Sequence, residues 1–548
     1  MHVYHEYLSF TPRADGSPGD DFRIVVPERF NFAYDVVDRM AAESPDQTAM
    51  VWVHHENYTK TFTFADMKRE SDRAAAYFQS LGIKRGDPVM LVLKRHYSFW
   101  FCIMGLHKLG AVTVPATHLL TTKDFLYRFN AASVKAIVCC EDYNVAKSVE
   151  EAGAQAEINP VKIMIDNPPE GWHALLPGLE KAPPFHAPPR QEVNNNEDLM
   201  LLYFTSGTTG MPKMVAHNFT YPLGHILTAS YWQCCFDGGL HLTIADTGWA
   251  KSVWGKLYGQ WMAGSAVFTY EFEKFQAADI LQKLQDYKVT TFCCPPTMYR
   301  FMIQEDLSKY DLSAMKHCVV AGEALHPEVY EQWRAATGLR LYEGFGQTET
   351  TLSLTTYPWM EPKPGSMGKP SMTYDVDLVD ENDVPVPNGT VGEIVIRTDK
   401  TVPVGVFAGY YRDPDRTAGV WHDGIYHTGD IAWRDESGYY WYVGRMDDII
   451  KSSGYRIGPF EVESVLMEHP AVVECAVTGA PDPVRGQVVR ATIVLGRGYT
   501  AGDELAKEIQ NFVKQNTAPY KYPRIVEFVE ALPKTISGKI RRVEIRGK

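Results

Sequence analysis

A chain of 548 residues exceeds what a single hydrophobic core organises, and roughly three to four packing units are expected. With 45% apolar and 22% charged residues the composition is that of an ordinary globular protein, which excludes a disordered or low-complexity chain. The formal net charge of -13 excludes a general binder of nucleic acid or of acidic membranes, so any polyanionic ligand must be met by locally arranged donors.

In chain order, the first ten residues, MHVYHEYLSF, lack a basic stretch followed by an apolar one and do not read as a secretory signal. Residues 30–41 have the spacing of a short amphipathic helix. Asp66 is expected to cap a helix through Leu81, followed by the strand PVMLVL, a helix over 97–109, the strand AVTVPA and the strand KAIVCCE. The most apolar region, 98–114, is interrupted by His107 and Lys108 and is too short to span a bilayer. Residues 160–198, rich in Pro, Asn and Glu, are expected to run over the surface. A strand over 199–204 follows, then a helix over 276–287, the strands VTTFCC and HCVVA, a helix over 327–336 and the strand LRLYEGF. Such alternation predicts parallel sheets covered on both faces. From Tyr374 the chain turns to short strands broken by turns, a small antiparallel β unit. Beyond Arg445 a further helix and strand pattern predicts a separate domain of about a hundred residues. The fold class is therefore α/β: residues 1–444 form a large domain of two parallel α/β sheets plus the β unit, and residues 445–548 a small mobile α/β domain.

Nine cysteines, an odd number without C-x-x-C spacing, fall mostly in apolar runs. They predict buried reduced thiols and a cytoplasmic location.

Five stretches carry candidate chemistry. In YFTSGTTGMPKMVAH, residues 203–217, Gly207 and Gly210 permit close backbone approach. Thr205, Ser206, Thr208 and Thr209 supply hydroxyls, and Lys213 supplies charge. This chemistry holds phosphate oxygens, yet it is not a Walker loop, because Pro212 and Met214 stand where that motif needs Gly and Ser or Thr. A flexible surface loop is an equally good reading of that stretch alone. In YEGFGQTETT, Glu349 suits a magnesium ligand or a solvated loop carboxylate. In YHTGD, Asp430 suits ribose hydroxyls or a plain turn. GRMDDIIKSSGYRIGPFEVE, with Arg445, Asp447 and Asp448 at the composition boundary, suits a hinge or a solvated linker. PKTISGKIRR places Lys539 near a basic tail that by charge alone is a solvated terminus.

Together, in this order and across most of the chain, these stretches resemble the adenylate-forming superfamily. DTGW at 246–249, SSGYRIGPFEVES and TAPYKYPR resemble its medium-chain acyl-CoA synthetases in particular. The resemblance implies ATP-dependent, AMP-forming ligation of a carboxylic acid to coenzyme A, with Mg²⁺ and an acyl-adenylate intermediate. It implies that Thr205 to Lys213 cradle the β- and γ-phosphates, and that Gly322, Glu323, Ala324, Glu343, Gly344, Phe345, Gly346 and Gln347 line the adenine. Thr348 would contact the α-phosphate, Glu349 would ligate Mg²⁺, and Asp430 with Arg445 would hold the ribose. Lys539 would be the catalytic lysine of the first half-reaction, and Asp447 the hinge about which the small domain rotates for the second. Gly454, Tyr455 and Arg456 would then line the pantetheine tunnel, with Arg485, Arg524 and His118 as further coenzyme A contacts.

For the acyl group, Gly346 stands where acetate-specific relatives carry tryptophan, so an open pocket floor is expected, partly closed by Trp249 beside Ala250 and Lys251. That implies small to medium acids, linear or branched, with acetate poor; a turn glycine with a neighbour filling the gap is the other reading. A carrier-protein thiol or an amine as acceptor, and a catalytically silent nucleotide binder, are alternative functions. The resemblance also admits a homodimer and a lysine acetyltransferase acting on Lys539.

Overall fold

The computed structural model describes residues 3–205, 211–453, 455–534 and 540–546. The first sheet has seven strands in the order Lys213–Asn218, Leu199–Thr205, Val112–Pro115, Pro88–Val92, Ala136–Cys139, Val161–Met164 and His173–Ala174. All neighbours run parallel except the hairpin Leu199–Thr205 with Lys213–Asn218 at one edge. Every residue of Pro88–Val92 and Ala136–Cys139 is buried, because helices cover both faces and leave no solvent side for an alternating pattern.

The second parallel sheet and the antiparallel β unit prove to be one hydrogen-bonded sheet of 14 strands. Its parallel part, with Thr48–His54, Ala266–Glu271, Leu240–Thr243, Thr291–Cys294, His317–Ala321 and Leu341–Phe345, continues through the two-residue strand Leu354–Thr355 and Ser366–Pro370. It then passes into Tyr440–Arg445, Ile425–Arg434, Gly392–Arg397 and Asp375–Val379. A separate five-stranded sheet lies beyond residue 449, built on Val472–Asp482 and Gly486–Leu495. With helices Pro459–Met467 and Asp503–Asn516 it closes a core of its own around Ile457, Leu466, Val477, Ile493 and Ile509. Among the described residues no helix is long and apolar enough to cross a membrane.

Two local expectations are corrected. The helix Phe64–Ser80 is capped by Thr63, whose hydroxyl accepts from the Asp66 amide, while the Asp66 carboxylate accepts from the Thr63 amide at 2.9 Å. Asp66 is the third helical residue of a capping box, and a sequence pattern does not separate its two ends. The stretch 160–198 is more than surface chain, because Val161–Met164 pairs with Ala136–Cys139 inside the first sheet. Its charged Lys162 is accommodated by an ion pair to Glu150 at 2.8 Å.

Burial drives the pKa of His96, His107, His217 and His241 down to about 3 from an ordinary 6.5, so all four are neutral in the native state. The unfolded chain binds their protons first as pH falls, and each withdraws up to about 1.4 kcal/mol of stability per pH unit below 6.5. The urea midpoint is expected to drop between pH 7 and pH 5, and a midpoint constant over that range contradicts it.

Candidate functional site

The site collects at the carboxyl ends of the parallel strands, where open α/β sheets bind ligands. The strand Leu199–Thr205 runs out at Thr205, which pairs with Lys213 on the returning strand. Ser206, Gly207, Thr208, Thr209 and Gly210, between them, lie outside the described residues. Lys213 Nζ donates to the Tyr410 hydroxyl at 3.0 Å, Tyr410 donates to Glu349 Oε1 at 2.9 Å, and Lys213 stands 3.8 Å from the same carboxylate. Burial lowers the Lys213 pKa, with Glu349 opposing, and pushes the Tyr410 hydroxyl up so that it stays a donor.

Two residues before Glu349, Gln347 turns the other way. Its amide donates to the Thr428 carbonyl at 2.9 Å and to the Asp430 carboxylate, and its oxygen accepts from Tyr426 at 2.8 Å. Asp430 also accepts from Tyr442 at 3.2 Å and from Arg445 at 3.3 Å, Arg445 being its cross-strand partner in the register. Gly429 has φ +70° and lies against Arg445, where an added Cβ would sit 2.9 Å from the guanidinium. A larger residue in the T-G-D turn would push that cation off the carboxylate. Thr348, between the two arms, has its carbonyl held by His217 Nε2 at 2.7 Å. His217 stacks on Tyr221 with ring centroids 3.8 Å apart.

The remaining nucleotide candidates divide. Glu343 is buried, its carboxylate accepting from the Leu325 amide at 3.2 Å and the Gly365 amide at 3.0 Å, and burial raises its pKa well above the usual range. It staples two loops rather than presenting its side chain. Glu323 is exposed and accepts from Thr297 at 2.6 Å, beside Gly322 at φ +103° and half-buried Ala324. Gly344 packs against Trp232 and Leu352, where a Cβ would collide with both, and the Phe345 ring is 6.5 Å from that of Tyr442.

The open floor expected beside Gly346 is corrected. A Cβ there would lie 2.3 Å from the Thr351 carbonyl and 2.4 Å from Trp254 Cη2, so the indole of Trp254 fills the space. Trp249 instead precedes the helix Ala250–Gly255, from whose far end Trp254 projects. Lys251, in the first turn of that helix, donates to the Ala321 carbonyl at 2.6 Å, and Ala250 is buried.

The coenzyme A candidates are spread out. Arg485 donates to the Ser453 hydroxyl at 3.1 Å beside exposed Tyr455, which stacks on Tyr520 at 4.0 Å. Gly454 lies outside the described residues. Arg456 reaches Glu381 of the large domain at 3.6 Å, and Arg524 donates to the Tyr522 hydroxyl at 2.9 Å. His118 sits elsewhere, 3.9 Å from Asp246, which pairs with Arg95 at 3.3 Å.

At the boundary, Asp447 lies 3.8 Å from Arg445, and Asp448 is held by Arg542 at 3.8 Å and by Arg546. Lys539 lies outside the described residues. Tyr410, Tyr426, Tyr442 and Trp254 carry contacts that sequence reasoning missed. Tyr442 was the most findable, standing three residues before Arg445 in YVGR on a strand that pairs with the T-G-D strand.

Residues 37–411 match the family described as AMP-binding enzyme, and residues 461–539 its C-terminal domain. The chain is 41% identical to acyl-coenzyme A synthetase ACSM3, mitochondrial, of Mus musculus, over 100% of this chain and 96% of that one. It is 40% identical to acyl-coenzyme A synthetase ACSM4, mitochondrial, of Homo sapiens, over 100% and 95%. Among solved structures it is similar to the anthranilate CoA ligase AuaEII in complex with anthranoyl-AMP, with TM-score 0.86 and 28% identity over 95% and 98% of the two chains. Both curated relatives are named mitochondrial, which overturns the cytoplasmic location expected from the thiols. All nine cysteines are free, and all but Cys234 are buried, so their reduced state follows from packing and does not report the compartment. By these matches over its length, the chain belongs to the AMP-binding enzyme family.

Proposed function

We propose that this protein is an ATP-dependent, AMP-forming acyl-CoA synthetase acting on small to medium carboxylic acids, with acetate poor. The observation that carries the reading is the segment 347–349, in which Gln347 is tied to the Asp430–Arg445 pair and Glu349 to Lys213 and Tyr410. A carboxylate pair suited to ribose hydroxyls and a lysine-flanked carboxylate suited to phosphates are thereby held at the two ends of one nucleotide-sized span.

The donor set fits magnesium, because Glu349 offers a hard carboxylate oxygen beside a hydroxyl, and this ion takes one or two carboxylates plus substrate phosphates. Bound there, Mg²⁺ would supply charge neutralisation on the phosphate oxygens. Lys213 and the hydroxyls of 205–209 would hold the β- and γ-phosphates, and Thr348 the α-phosphate. The substrate carboxylate needs no general base at neutral pH, since its pKa lies well below. Its oxygen attacks the α-phosphorus as the bond to pyrophosphate breaks, and Lys539 offsets the repulsion between the two anions. The thiol of coenzyme A then attacks the acyl carbon, and AMP leaves.

In this reading residues 1–444 bind nucleotide and acid, residues 445–548 form the moving domain, and Asp447 is the hinge. Gly454, Tyr455 and Arg456 with Arg485, Arg524 and His118 serve coenzyme A. A homodimer is compatible with it, and acetylation of Lys539 by a lysine acetyltransferase would switch off the first step by removing the cation. The test is AMP release with and without coenzyme A across linear, branched and aromatic carboxylates. Release that depends on coenzyme A and peaks at medium chain length is expected. Release that ignores coenzyme A, or none with any acid, overturns the reading.

A further inference from the structure

On the 14-stranded sheet, away from Lys213 and Glu349, a second cluster has the chemistry of a metal site. A nitrogen of His422, a nitrogen of His427 and a carboxylate oxygen of Asp383 lie within 4.8 Å of one another. Among the described residues this is the only such group of three His, Cys, Asp or Glu side chains. His422 and His427 stand on the adjacent strands Trp421–His422 and Ile425–Arg434, with rings stacked at 4.9 Å and 23°. Asp383 is on the turn between Asp375–Val379 and Gly392–Arg397.

Three observations go beyond proximity. His427 Nδ1 is 3.0 Å from Glu393 Oε2, so the carboxylate holds the proton at Nδ1 and leaves the Nε2 lone pair free. That Nε2 is buried without a hydrogen-bond partner, 3.6 Å from Asp383 Oδ1, a separation too long for a hydrogen bond. His422 repeats the pattern, its Nδ1 3.2 Å from the Asp423 carboxylate. Histidines that bind metals commonly donate their other ring N–H to a carboxylate, which fixes the tautomer and strengthens the ligand nitrogen. Here both have such a carboxylate.

We infer that His422, His427 and Asp383 bind a divalent transition metal, zinc by ligand chemistry, with water completing the shell. Two imidazoles and one carboxylate are borderline ligands that suit Zn²⁺ and do not suit Mg²⁺, which prefers oxygen throughout. Tetrahedral zinc needs its ligand atoms about 3.3 Å apart, closer than the 4.8 Å limit that encloses the three atoms. Closure falls to the outer ligands, since the side chains of His422 and Asp383 are 41% and 40% exposed while that of His427 is 14% exposed. Glu393 gives the site a structural consequence, because its other oxygen accepts from the Gly429 amide at 2.9 Å. A metal on His427 thus braces, through one carboxylate, the turn that carries Asp430.

The test uses full-length, untagged protein stripped by a chelator and titrated with Zn²⁺ against a chromophoric competitor, with Co²⁺ as a spectroscopic probe. One equivalent of Zn²⁺ per chain is expected, with ligand-field bands of nitrogen and oxygen coordination for Co²⁺ and a raised unfolding temperature on zinc binding. His422→Ala and Asp383→Ala, both at exposed side chains, should keep the metal-free unfolding temperature yet weaken zinc binding at least about tenfold. Glu393→Gln should weaken it by about ten- to a hundredfold through the second shell. Wild-type protein that takes up no zinc at micromolar free metal, or a double variant His422→Ala/Asp383→Ala that binds as well as wild type, overturns the inference.

Discussion

Replacing Lys539 with alanine is expected to lower acyl-adenylate formation by on the order of 10²–10³-fold, the usual cost of one preorganised electrostatic partner. Thioester formation from supplied acyl-adenylate should stay close to wild type. The asymmetry follows from where the neighbouring chain is docked. Ile540 packs with Ala476, Leu532 and Ile545, while Arg542 pairs with Glu463 at 2.7 Å and with Asp448 at 3.8 Å. The charge of Arg542 reaches Tyr442, the hydroxyl donor to Asp430. The segment following Lys539 is therefore anchored beside the ribose clamp, as the first half-reaction requires. Measuring pyrophosphate release and thioester formation separately decides the matter. Equal loss in both steps would sink the account in which this lysine serves one step only.

The second large effect is expected at Trp254. Its indole occupies the space that the missing side chain of Gly346 leaves, and its own side chain is nearly buried. Trp254→Ala should lengthen the pocket and favour longer acids by about 0.8 kcal/mol per added methylene, or roughly fifty-fold in kcat/KM over three. Because removing a buried tryptophan costs about 3–5 kcal/mol of stability, Trp254→Leu is the companion variant, with a smaller shift in the same direction. An unchanged chain-length profile in a folded variant would place the acyl group elsewhere. Gly346→Trp, by contrast, is expected to damage the fold, since even a Cβ meets the Thr351 carbonyl at 2.3 Å.

Trp254 also shows what the sequence could and could not reveal. Lys213, Glu349, Asp430 and Arg445 were legible because each sits in a short motif whose residue types carry their own chemistry. Trp254 was hidden behind the more conspicuous Trp249, five residues earlier and at the start of the same helix. Tyr410 escaped for a different reason. It meets Glu349 across 61 residues and Lys213 across 197, and nothing local to it announces either contact. The parallel sheets were readable from their unbroken apolar runs. Their continuation into the β unit was not, because it passes through Leu354–Thr355, a strand of two residues and too short to leave a pattern. The strand Val161–Met164 was missed because a buried lysine interrupts its apolar run.

That continuous sheet bears on how the two half-reactions are coupled. Tyr440–Arg445 is an interior strand, flanked by Ile425–Arg434 and Ser366–Pro370, and the chain leaves the sheet only at Met446. Asp430 and Arg445 therefore belong to the stator, and everything after the turn Met446–Asp448 to the rotor. A swing of the small domain leaves the nucleotide end of the adenylate where it was made. The intermediate stays on its mount while the machinery around it changes, and a reactive anhydride is never handed between sites where water could reach it.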